Sequence, residues 1–97
     1  MKIVWSPLSI ERITEIAQYI AKDNPTAASN WIKEIFSHVE PLETFPQSGK
    51  VVTELNNDAV RELIYGNYRV IYLIESKQIS ILTVRNERQL LPETDFK

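Results

Sequence analysis

The chain has 97 residues, a net charge of −2, one histidine and no cysteine, which excludes disulfide stapling, thiol chemistry and a histidine-rich metal site. The absence of a basic surplus also argues against a broad nucleic-acid-binding footprint. Hydrophobic content of 43% and charged content of 25% are those of a globular chain, read as one domain over residues 1–97. No apolar run is long enough to span a bilayer, and MKIVWSPLS lacks the apolar core of a signal peptide, so a cytoplasmic protein is expected.

Lys2 to Trp5 reads as a short strand. Ser6-Pro7 then opens a helix, because Ser is a good N-cap and Pro is suited to the first helical turn. Ile10, Ile13, Ile16, Ala17 and Ile20 follow at helical spacing, with Glu11 and Glu15 opposite, and the helix should end near Lys22. Asp23-Asn24-Pro25 stops it and starts a second, with Asn24 as cap. Ala28, Trp31, Ile32, Ile35, Phe36, Val39 and Leu42 form its apolar stripe, and Pro41 predicts an irregular last turn. The short joint makes the two helices an antiparallel hairpin. Residues 44–59 are rich in turn formers, with Val51 and Val52 expected near a sheet edge.

Val60 to Tyr65, Tyr68 to Ile74 and Ile79 to Arg85 read as three strands broken by Gly66-Asn67 and Ser76-Lys77, an antiparallel meander. Two-residue loops set Tyr65 opposite Tyr68 and Glu75 opposite Gln78. Alternation then gives two faces. One carries Val60, Glu62, Ile64, Arg69, Ile71, Leu73, Ser80, Leu82 and Val84. The other carries Arg61, Leu63, Tyr65, Tyr68, Val70, Tyr72, Ile74, Ile79, Ile81, Thr83 and Arg85. Both are substantially apolar, so each needs a cover. Residues 89–97 read as a frayed tail. The expected fold class is α+β, in the order β-α-α-β-β-β, with the helical hairpin on one face of a small antiparallel sheet.

Residues 61–88, RELIYGNYRVIYLIESKQISILTVRNER, and residues 16–50, from IAQYIAKDNP to ETFPQSGK, resemble the RelE/ParE superfamily of toxins from type II toxin–antitoxin pairs. The likeness covers about nine-tenths of the chain and keeps the order of elements. It implies a small antitoxin that wraps the toxin, in a hetero-oligomer, and would account for the second apolar face. It also implies one of two activities. RelE-like members are ribosome-dependent nucleases that cut mRNA; ParE-like members are associated with inhibition of DNA gyrase.

RNA cleavage at a 2′-OH needs a base, an acid for the leaving oxygen, and cations for the phosphorane charge. Arg69 matches a strand arginine that serves RelE-like nucleases, yet ParE-like members also carry it, and it can equally pair with Glu62. Arg85 and Arg88 flank the end of the last strand and could hold phosphate or a partner's carboxylates. Beyond Ile81 there is no Tyr and no His, which leaves Glu87 as the base candidate there; Asn86 stands where many ParE-like members have His. If the chain is a nuclease, its catalytic set is Arg69, Arg85, Glu87 and Arg88. Otherwise Arg61, Tyr68, Arg69, Tyr72, Arg85 and Arg88 are candidates for contacting a target or an antitoxin, although tyrosines on a strand face more often pack in a core. His38, Trp31 and Trp5 read as boundary or core residues. The resemblance and the missing Tyr/His favour a ParE-like toxin with no cofactor, no metal and no membrane, acting on a protein target, DNA gyrase. The alternatives are a RelE-like nuclease acting on ribosome-bound mRNA, and an antitoxin-binding remnant without toxicity.

Overall fold

Ser6 starts the first helix by leaving its own backbone extended while its hydroxyl accepts the Ser9 N–H at 3.0 Å. The same hydroxyl donates to the Leu82 carbonyl at 3.1 Å, and the Ser6 N–H donates to the Ile81 carbonyl at 3.1 Å. One residue therefore caps a helix and fastens it to the far end of the chain. Asn24 caps the second helix through the Ala27 N–H at 3.0 Å.

The computed structural model describes residues 1–87. In chain order the elements are β1 (Lys2–Trp5), α1 (Pro7–Ala21), α2 (Pro25–Val39), β2 (Lys50–Val51), β3 (Val60–Tyr65), β4 (Tyr68–Ile74) and β5 (Gln78–Asn86). A 3-10 turn over Glu40–Glu43 takes up the irregularity expected at Pro41, and a second covers Thr53–Leu55. The strands form one sheet in the order β1-β5-β4-β3-β2. The fold is α+β, with the helical hairpin on one face.

The sheet is mixed, not purely antiparallel. β1 joins β5 in parallel, with Lys2 opposite Gln78 and Trp5 opposite Ile81. A pairing between the two ends of a chain leaves no local mark in the sequence. The meander has the expected first turn, Tyr65 opposite Tyr68, and Gly66 takes the positive φ (58°) that the turn needs. The Glu75 N–H donates to the Gln78 carbonyl at 2.9 Å.

One expectation fails beyond Ile81. Tyr72 pairs with Ile81 and Ile71 with Thr83, so Leu82 is an extra residue in β5. This bulge exchanges the faces of the strand residues after Leu82. Val84, opposite Val70, joins the helix-side core, while Thr83 falls opposite Ile71 and Arg85 opposite Arg69.

The main core lies between hairpin and sheet. Ile13, Ala17, Trp31, Ile35, Val39 and Leu42 meet Val70, Tyr72, Ile79, Ile81 and Val84. A second cluster on the opposite face joins Val60 and Ile71 to Val52, with Leu55, Leu73 and Leu82 around it. Val52 is fully buried. The chain thus covers part of its second apolar face with its own residues 52–55, a role that the sequence reading gave to an antitoxin. The expected tail, residues 89–97, lies outside the described residues.

Candidate functional site

Strand alternation puts Glu62 and Arg69 on the same face, because Glu62 pairs with Ile71 and Arg69 with Ile64. The turn Thr53–Leu55 lies over that face and brings Glu54 to the same point. The Arg69 Nε donates to Glu62 Oε2 at 2.9 Å, and its two terminal nitrogens donate to Glu54 at 2.9 and 3.2 Å. One of these nitrogens also bonds Glu62. Arg69 is only 8% exposed. The arrangement is a bidentate fork on Glu54 with a second carboxylate behind it. The guanidinium hydrogen bond holds the Glu54 carboxyl below its usual range, and Glu54 raises Arg69 further. A phosphate could reach this fork only by displacing Glu54.

Arg61 and Tyr72 are cross-strand partners and together hold the turn Pro46–Gly49. The Tyr72 hydroxyl donates to the Pro46 carbonyl at 2.8 Å and accepts the Gly49 N–H at 3.0 Å. Arg61 donates to the carbonyls of Gly49, Asp58 and Gln47 at 3.0, 3.2 and 3.3 Å. Burial pushes the Tyr72 hydroxyl pKa up. Tyr72 has no exposed surface and so cannot touch a partner in this conformation.

Tyr68 and Arg85 are placed differently. Tyr68 packs edge-on against Trp31, with ring centres 5.2 Å apart. With Val84, Arg85 and Asn86 it forms one wall of a cleft of about 370 Å³, whose other wall is Arg12, Glu15, Ile16 and Tyr19 of α1. Tyr19 is 71% exposed. Glu87 is exposed, and its N–H bonds the Asn67 carbonyl. Arg88 lies outside the described residues.

The sequence-predicted site residues therefore divide. Arg61, Arg69 and Tyr72 hold this chain's own loops, while Tyr68 and Arg85 line an open cleft. Sequence reasoning missed Glu54, which comes from an irregular stretch with no periodicity to place it. It also missed Arg12 and Tyr19, although their spacing with Ile16 puts them along one helix face. Among the described residues no three His, Cys, Asp or Glu side chains converge to hold a metal ion, and no helix is long and apolar enough to cross a membrane.

The family described as "ParE toxin of type II toxin-antitoxin system, parDE" matches residues 3–91. The chain belongs to this ParE toxin family. A protein of Sinorhizobium fredii named "Putative toxin Y4kP" is 33% identical over 94 residues, spanning 95% of this chain and 94% of that one. Among solved structures, a chain of the "Chromosomal ParDE TA system from P. aeruginosa" superposes with a TM-score of 0.75 over 89% of this chain and 95% of its own length, at 21% identity. That likeness supports the fold. The chain is thus a type II toxin of the ParE family, and its helical hairpin on a five-stranded sheet is the ParE-type architecture.

Proposed function

We propose that this ParE-family toxin halts growth by binding DNA gyrase, catalyses no reaction itself, and is silenced in a hetero-oligomer with a cognate antitoxin. The observation that carries the reading is the saturation of Arg69. The strand arginine that a nuclease would aim at a phosphate is closed by Glu54 and Glu62 of the same chain. The lack of any Tyr or His after Ile81 supports the same conclusion. Tyr68 and Arg85 are the proposed contact residues at the cleft, with Arg88 beside them in sequence.

Pulse-labelling after induction without antitoxin tests the target. DNA synthesis should fail first, with a damage response, and purified gyrase should lose supercoiling activity when the toxin is added. If protein synthesis stops first and mRNA is cut, the nuclease reading replaces this one, with Glu87 the base to mutate. No growth effect at all would mark a remnant without toxicity. Co-expression with the neighbouring small open reading frame tests the antitoxin. A stable complex is expected, and a toxin that stays alone in that mixture counts against it.

A further inference from the structure

The two carboxylates on Arg69 are held in different ways. Glu62 stands on β3, between β2 and β4, and its side chain is nearly buried. Glu54 is the more exposed of the two and stands on the single turn Thr53–Leu55, whose start has no side-chain cap. The chain is tied down on either side of that turn. The Val52 N–H donates to the Val60 carbonyl at 3.1 Å, and the Val60 N–H donates to the Asn57 carbonyl at 3.0 Å. Between those ties the turn bonds to itself, the Leu55 N–H donating to the Val52 carbonyl at 3.3 Å. It meets the sheet through side chains, Glu54 on Arg69 and Leu55 on the cluster of Val52, Val60 and Ile71. An ion pair as exposed as that of Glu54 adds little to stability. The turn can therefore lift off while both ties stay made.

Lifting it leaves Arg69 with Glu62, a pair of no net charge. One incoming carboxylate restores the present balance and fits the planar fork of the guanidinium. A phosphate group, at about −1.5 to −2 near neutral pH, would bring surplus negative charge against Glu62. The same movement takes Leu55 off Val60 and Ile71 and opens an apolar seat beside the cation. The vacated site then calls for what Glu54-Leu55 supplies, an acidic residue followed by a large apolar one.

We propose that Glu54-Leu55 stands in for an acidic–apolar pair of residues on a protein partner, whose carboxylate replaces Glu54 on Arg69. The turn Thr53–Leu55 is then a lid that closes this site in the free toxin. The proposal rests on the reading above that the toxin works through protein contacts.

Glu54→Ala opens the fork and leaves Leu55 in place. The first probe is sodium acetate, read on the Arg69 Nε–H NMR signal of the full chain at an ionic strength held constant with chloride. In the variant the signal should shift saturably, at several-fold lower acetate than in wild type, and should respond less to phosphate. A response to acetate no greater than to chloride would overturn the proposal, as would a stronger response to phosphate. This arm needs no partner, so it succeeds or fails independently of the toxin's target. The second arm measures binding to gyrase and to the product of the neighbouring small open reading frame. Glu54→Ala should bind at least one of them several-fold more tightly than wild type, because the competing carboxylate is gone. Unchanged affinity for both overturns the lid, and a toxin that still stops DNA synthesis in that case keeps its proposed function.

Discussion

Arg69 gives its guanidinium to two carboxylates that differ in exposure, with side chains 12% exposed for Glu62 and 38% for Glu54. Arg69→Met should therefore cost about 2–4 kcal/mol in urea unfolding, because Glu62 is left buried and unpaired. Glu54→Gln should cost about 1 kcal/mol or less, since Glu54 is the more exposed partner. The pH dependence comes from the lowered Glu54 pKa. Its stabilisation is complete above the unfolded value of 4.5 and is lost as pH falls through the lower folded value. Wild type and Glu54→Gln should thus converge in stability at low pH; a constant gap would mean that the charge is not the source. Gly49 offers a second test at this scale. A Cβ there would lie 2.5 Å from the Tyr72 hydroxyl and 2.6 Å from the Glu62 carbonyl oxygen. Gly49→Ala should destabilise by about 1–3 kcal/mol. Tyr72→Phe should rescue only part of this, because the carbonyl stays. The Arg69–Glu62 pairing was legible in the sequence, since alternation puts both on one face. Glu54 was not, because its turn has no periodicity.

Within the elements, Leu82 is the extra residue at the bulge of β5. Deleting it should straighten the strand while leaving Thr83 opposite Ile71 and Val84, 1% exposed, opposite Val70 in the core, with only Leu82's packing on the second cluster lost. A cooperative thermal transition at a lowered Tm is the expected outcome, and loss of the transition would show that the fold needs the bulge itself. Ser6→Ala should be milder, at about 1–2 kcal/mol, for the cap and its bond to Leu82. Both helices could be read from spacing and caps, because the signals for starting a helix lie within a few residues of each other. The bulge could not: ISILTVRN alternates well enough without an extra residue. The hydroxyl that satisfies the Leu82 carbonyl sits near the other end of the chain.

For the molecule as a whole, β1 closes the sheet from one side. Its Trp5 also packs on Phe36 of α2, with ring centres 4.5 Å apart. Removing Met1 to Trp5 should expose the β5 edge at Gln78 to Ile81 and promote edge-to-edge association. Light scattering should then report oligomers and calorimetry a lower Tm. A monodisperse monomer of unchanged Tm would contradict the role given to β1. The order of elements was readable from the sequence, whereas the parallel closure was not, since it joins segments that share no local pattern.

The bond from Ser6 to Leu82 spans 76 positions. At a synthesis rate of about 5–20 residues per second, the interval between making the two ends is roughly 4–15 s. From the moment Val39 is made until β5 follows, the Trp31, Ile35 and Val39 stripe of α2 has no complete sheet to lie on. The helical hairpin therefore cannot bury that stripe on its finished sheet until β5 has been made. Packing of the main core is thus a late step, timed by the arrival of β5.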